Sequence, residues 1–190
     1  PLLMNQKLFS FFRAFLSLVL VLSLGACSGG PSAGLEPFQS PDGRYGFLFP
    51  TGWTRVEVSG GPAVVFHDLI NSDETLSLVV SKIDTDEDID IENLGTPEEV
   101  GDRLVSQLID TTDNDRLVEL VQSAERESSD HTFYDLEYKI KYPDNIRHEI
   151  ATVVIDRGNL YTFAAGTDDK RWPKVSNLFK KVVDSFTLLI

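Results

Sequence analysis

The chain has 190 residues, of which 42% are hydrophobic and 25% charged, with 13 glycines and 9 prolines. That is enough apolar matter for one packed domain and excludes a disordered or low-complexity chain. A formal charge of -13 at pH 7 argues against nucleic acid as a partner, because phosphate binding needs clustered cations, and a single cysteine excludes an internal disulfide.

The N-terminus carries the most specific local signal. Lys7 and Arg13 precede an apolar run, Ala14 to Leu24, broken only by two serines, and Leu24-Gly25-Ala26-Cys27 follows. The run is shorter than the roughly 20 apolar residues that span a bilayer, so it reads as a signal peptide ending in a lipobox. The expected organisation is a lipoprotein signal peptide over 1-26, a lipidated flexible tether over 27-39 beginning at Cys27, and one folded domain over 40-190. Two or more acyl chains on Cys27 would hold the protein on a membrane while the polypeptide stays in water. Pro1 to Leu3, ahead of Met4, read as a start-site artefact.

Within the domain, Arg44 to Phe49 reads as a strand stopped by Pro50, and Thr51-Gly52 turns the chain into Trp53 and a second strand. Ala63 to Asp68 and Thr75 to Ile83 read as a hairpin joined by Asn71-Ser72-Asp73. Thr96-Pro97-Glu98-Glu99 has the form of a helix start, with an N-cap, Pro at the first position and an acid at the third. Val100, Leu104 and Leu108 follow at intervals of four, and the helix is expected to end near Asp110. Leu117 to Glu127 reads as a strand. Tyr134 to Phe163 reads as a three-stranded antiparallel meander, apolar on both faces of its second and third strands, as for central strands covered on both sides. A last helix begins at Trp172 with an apolar stripe through Val175, Leu178, Phe179, Val182, Val183 and Phe186. Around it Lys170, Arg171, Lys174, Lys180 and Lys181 form a basic group in an acidic chain, a candidate partner-binding surface.

The meander turns suggest a register. With a first loop of Pro143 to Ile146, Tyr142 faces Arg147, Tyr138 faces Ala151, Leu136 faces Val153 and Tyr134 faces Ile155. With Arg157-Gly158 as a two-residue second loop, Ala151 faces Ala164 and His148 lies level with Thr167. His148 would then face Lys141, about 33 Å along the sheet from His131, so the two histidines cannot share an ion. Asp168 and Asp169 come to the same end as His148. That set suits zinc or manganese, with calcium as a third possibility, in a weak and solvent-open site.

Catalytic patterns are missing from the sequence. It contains no Gly-x-Ser-x-Gly, phosphate-binding glycine loop, His-Glu-x-x-His or dinucleotide fingerprint. Asp84, Asp86 and Asp88 have the first spacings of a calcium loop, but Ile89 and Gly95 stand where glycine and glutamate are needed, which excludes an EF-hand.

Taken in order, several segments resemble the PsbP family of photosystem II extrinsic proteins. They are Tyr45-Gly46-Phe47 with Pro50-Thr51-Gly52-Trp53, Phe66-His67-Asp68, Leu94-Gly95-Thr96-Pro97-Glu98-Glu99, Tyr134 to Tyr138, Leu160-Tyr161, Asp169-Lys170-Arg171-Trp172 and Ser185-Phe186. With the lipobox, the chain is similar to the cyanobacterial lipoprotein branch of that family. The resemblance implies an α+β domain, an α-β-α sandwich around an antiparallel sheet, on the lumenal side of the thylakoid membrane. It also implies a monomeric, non-enzymatic accessory protein that docks on lumenal subunits of photosystem II, in assembly, repair or stabilisation of the oxygen-evolving complex. Plant members are unlipidated and use an N-terminal extension to retain calcium and chloride; the short tether here departs from that. They also carry a histidine after a basic residue and an aspartate before Lys-Arg-Trp, a pair associated with a divalent ion, and His148 and Asp169 match those positions. The competing expectations are a lipoprotein that binds a small ligand or divalent ion without acting on photosystem II, its pocket near Trp53, Tyr134 or Tyr161, and an unrecognised hydrolase.

Overall fold

The computed structural model describes residues 34-84, 88-110 and 116-189. Cys27, the tether up to Ala33 and Asp86 lie outside the described residues, as does the side chain of Leu108.

Among the described residues, ten strands form two sheets and two helices pack on them. β1 (Leu35–Gln39), β2 (Tyr45–Pro50) and β10 (Thr187–Leu188) make a small sheet in the order β1-β2-β10. The large antiparallel sheet runs β3-β4-β5-β9-β8-β7-β6. Its strands are β3 (Thr54–Val56), β4 (Val64–His67), β5 (Thr75–Lys82), β6 (Leu117–Ser128), β7 (His131–Lys141), β8 (Ile146–Asp156) and β9 (Asn159–Asp168). Helix α1 (Pro97–Asp110) and helix α2 (Trp172–Asp184) complete the fold, with a 3₁₀ turn at Ile91–Leu94. The α+β class and the helix-covered antiparallel sheet are as expected.

The two faces of the large sheet are covered by different elements. On one, Phe66, Leu76, Leu78, Ile150, Val154, Tyr161 and Phe163 pack against Val175, Phe179, Val182 and Val183 of α2 and against Tyr45 and Phe47 of the small sheet. Phe47 and Phe163 rings lie 4.5 Å apart and Phe163 and Phe186 5.2 Å apart. Each such fully buried side chain contributes about 2-3 kcal/mol from area alone. On the other face Tyr134, Leu136, Val153 and Ile155 pack against Ile91 and against Val100 of α1. The start of α1 is capped as its sequence specifies: Glu99 N–H donates to Thr96 Oγ1 at 3.3 Å, and Thr96 N–H to Glu99 Oε2 at 2.9 Å.

Three expectations need correction. Leu35–Gln39 is a strand paired along β2, so the ordered fold reaches back into the segment expected as tether. The Gly, Ser and Pro content of Ser28 to Gln39 reads as a flexible tether, but β1 is an edge strand, where the missing N–H of Pro37 is tolerated. β10 was not expected at all; its two residues are too few to show a period. The β7-β8 register is offset by two: Tyr134 faces Val153, Leu136 faces Ala151, and His148 faces Lys139 instead of Lys141. Tyr142 N–H bonds to the Asn145 carbonyl at 2.8 Å, so Tyr142 meets Asn145, two residues before the expected Arg147. The β8-β9 register, by contrast, is as expected, with Ala151 opposite Ala164 and His148 opposite Thr167.

β6 is a long edge strand, and its pairing with β7 slips between Leu120 and Gln122. The slip leaves Val121 exposed and breaks the flat edge, which discourages edge-to-edge association.

Gly166 on β9 lies beneath the side chains of Arg147 and Glu149. A Cβ there would stand 2.5 Å from Glu149 Cγ, 2.9 Å from Arg147 Nη2 and 3.0 Å from the His148 carbonyl oxygen. Gly166→Ala is therefore expected to destabilise the domain by about 1-3 kcal/mol in denaturant unfolding, through overpacking. A midpoint equal to that of the wild type would show that the Arg147-Glu149 pair is not fixed over the glycine.

Candidate functional site

At the end of the large sheet where β8 begins, three consecutive residues supply ionisable groups to opposite faces. Strand alternation sends His148 toward α2 and Arg147 and Glu149 to the other side. His148 is 4% exposed. Its Nδ1 lies 2.9 Å from Asp169 Oδ1 and its Nε2 2.6 Å from Glu137 Oε1. Lys139 Nζ reaches the same Asp169 oxygen at 3.0 Å. The His148 ring stacks on Trp172 at 3.9 Å and 11°. The hydrogen bonds of Lys139 and His148 hold the Asp169 carboxyl below its ordinary value.

Two residues after Asp169 in the turn into α2, Arg171 is drawn inward. Its Nε donates to Glu74 Oε1 at 2.6 Å, and Glu74 is buried. Together with Trp172 stacked on His148, these contacts fix the first turn of α2 to β8 and to the β4-β5 loop. Breaking a pair that contains a buried charge typically costs about 3-5 kcal/mol, because the partner is left uncompensated.

The opposite face carries a second cluster. Arg147 pairs with Glu149 and donates to the Asp73 carbonyl at 2.7 Å, while Tyr138 Oη donates to Glu149 Oε2 at 2.6 Å. Burial, with the Glu149 charge, pushes the Tyr138 phenol well up. Arg147 thus braces the β4-β5 loop from one side of the sheet as Arg171 braces it through Glu74 from the other.

Of the expected metal ligands, the structure brings His148 and Asp169 together but sets Asp168 to another task. Asp168 Oδ1 accepts the Lys170 N–H at 2.9 Å and its carbonyl accepts the Arg171 N–H, so it shapes the turn before α2. Glu137 and Lys139 belong to the cluster and were not anticipated. Among the described residues no group of three or more His, Cys, Asp or Glu side chains converges to hold an ion. The two ring nitrogens of His148 point to carboxylates on opposite sides, so one ion could meet only one of them, beside the Lys139 ammonium.

Of the expected partner-binding residues, Lys170, Lys174, Lys180 and Lys181 are exposed. Lys180 also pairs with Asp184 at 3.4 Å. Arg171 is turned toward Glu74. Trp53, Tyr134 and Tyr161, considered as a pocket lining, are packing residues instead: Trp53 meets Phe179 edge-on at 5.8 Å, and Tyr134 and Tyr161 are each 2% exposed.

A helix-covered antiparallel sheet whose ion clusters brace a helix end and a loop is a scaffold that presents surfaces. The PsbP family profile matches residues 33-188, and the chain belongs to the PsbP family. It is 37% identical to CyanoP of Thermosynechococcus vestitus over 183 residues, 94% of this chain and 97% of that protein. It is also 37% identical to CyanoP of Synechocystis over 187 residues, 96% of this chain and 98% of that protein. The solution structure of Synechocystis CyanoP superposes with a TM-score of 0.71 at 38% identity, covering 87% of this chain and 99% of that one.

Asp169 supplies a pH test. Its carboxyl is held below the usual value of 3.8, so its contribution to stability is fully present above that pH and is lost as pH falls through the lower folded-state value. Asp169→Asn should therefore flatten the loss of stability below about pH 4, measured by denaturant unfolding across pH. An acid limb identical to that of the wild type would place the charge balance elsewhere.

Proposed function

We propose that this chain is a lipid-anchored accessory protein on the lumenal side of the thylakoid membrane that docks on photosystem II, acting by binding in assembly, repair or stabilisation of the oxygen-evolving complex. Membership of the PsbP family supports the setting, and the lipobox at Cys27 supports the anchor. The observation that carries the docking surface is the exposed basic row of α2, Lys174, Lys180 and Lys181, on a helix whose first turn is fixed to the sheet. In a chain of net charge -13 such a row is a local reversal of sign, suited to an acidic partner surface and to steering its approach. Because these cations are exposed, their attraction is screened over about 8-10 Å at physiological salt.

Reversing Lys174 and Lys181 to glutamate should weaken co-purification with photosystem II several-fold while leaving the unfolding midpoint nearly unchanged, and wild-type binding should fall as salt rises. An unchanged complex in the double variant would move the interface away from α2.

A second reading rests on the 2.9 Å approach of His148 to Asp169. The pair takes a divalent ion weakly, the ion replacing the proton between them, with zinc or manganese favoured over calcium by the imidazole. Calorimetric titration with zinc is expected to show heat in the wild type that disappears in His148→Ala and in Asp169→Ala. Equal binding in both variants would contradict this assignment.

A further inference from the structure

The loop between β4 and β5 ends in the most exposed large apolar side chain of the described residues, Ile70 at 90%, next to Leu69 at 67%. The loop around this pair is ordered by its own bonds. Asp68 accepts the Ile70 N–H at 3.0 Å and the Asn71 Nδ2 at 2.8 Å, and Glu74 N–H closes a turn on the Asn71 carbonyl at 2.8 Å. It is also braced from outside, by Arg171 on Glu74 and by Arg147 on the Asp73 carbonyl. Connecting two strands needs none of this apolar surface at the tip. A tip ordered before contact loses little conformational freedom when something covers it.

The chain enters the fold at the same end of the domain. The Gly34 carbonyl, where the fold begins, accepts the Thr51 N–H at 3.0 Å, and Trp53 N–H bonds back to Pro50. Thr54 then pairs with His67, from which the chain runs directly into Leu69 and Ile70. The point where the chain enters the fold and the apolar tip therefore lie at one end of the domain. Only seven peptide units separate Cys27 from Gly34, a reach of at most about 25 Å. With Cys27 acylated, the entry point at Gly34, which lies at the end of the domain that carries the tip, stays within about 25 Å of the bilayer.

We propose that Leu69 and Ile70 seat in the headgroup boundary of the bilayer that holds Cys27, so that the domain stands on the membrane at two points instead of swinging on its tether. The proposal rests on the lipid anchor of the preceding section. Its chemistry is apolar: Asp68 and the exposed Asp73 flank the tip in the chain, so its immediate neighbours carry no excess of cations and the contact needs no anionic lipid. It should accordingly survive salt that weakens docking through α2.

The test uses the mature acylated chain in neutral phosphatidylcholine vesicles containing a lipid-borne quencher. With Cys27 blocked by its thioether, Ser72→Cys supplies one free thiol beside the tip, and Lys82→Cys supplies one at the far end of β5, about 25 Å away. A polarity-sensitive fluorophore at Ser72→Cys is expected to be quenched at least twofold more than one at Lys82→Cys, in low and high salt alike. The difference should vanish when Leu69→Ser and Ile70→Ser are added, although the chain remains vesicle-bound. Equal quenching at the two positions, or quenching at Ser72→Cys unaffected by the serine substitutions, overturns the proposal. So does a fluorophore that responds only when photosystem II is added, which would make the tip a protein contact. The mass of the mature chain reports acylation separately. If Cys27 is unmodified, the anchor fails while the tip is still read from Cys27→Ser chains added to the same vesicles: partition lost on removing Leu69 and Ile70 upholds the tip, and no partition overturns it.

Discussion

The pairing of β8 with β9 is the constraint on which the other placements depend. Arg157 and Gly158, with φ of 47° and 71°, form a two-residue turn in which both positions are left-handed, the geometry whose twist matches that of the strands it joins. That turn admits one register, with Ala151 opposite Ala164 and His148 opposite Thr167. Because side chains alternate, a slip of one residue would send Val153 and Ile155 to the α2 side and turn His148 away from Trp172. The two central strands thereby decide what each helix can pack against.

From this register follows the division of labour at one end of the sheet. His148 goes to the α2 face with Glu137, Lys139, Asp169 and Trp172, and Arg147 with Glu149 goes to the other. The first cluster fixes the start of α2, and Arg147 and Arg171 together hold the β4-β5 loop from both faces. Neither cluster need act on a substrate to matter. Each fixes the position of a surface element, the basic row of α2 in one case and the Leu69-Ile70 tip in the other. A binding domain gains affinity from such pre-ordering because less freedom remains to be lost on contact.

Much of this was legible in the sequence, for identifiable reasons. The long strands showed their period, the capping box marked the start of α1, and the Trp172 stripe marked α2. The two-residue turn fixed β8 against β9, which placed His148 next to Asp169 correctly. The four-residue loop between β7 and β8 could close in more than one way, and the expected closure was off by two in register. An offset of two preserves faces, so the core residues came out right. It displaces neighbours along the strand, however, and Glu137 and Lys139 were missed for that reason alone. The inward turn of Arg171 was also hidden, because its partner Glu74 sits 97 residues away in a loop whose charge gave no sign of burial.

The chain is a member of the PsbP family, and the function proposed for it is to present the rigid basic surface of α2 to photosystem II. Lysine-directed cross-linking of intact thylakoids, read by mass spectrometry, tests that most directly. The account predicts links from Lys174 and Lys181 to lumenal parts of photosystem II subunits. Links from those lysines only to unrelated lumenal proteins, or photosystem II links confined to lysines away from α2, would contradict it.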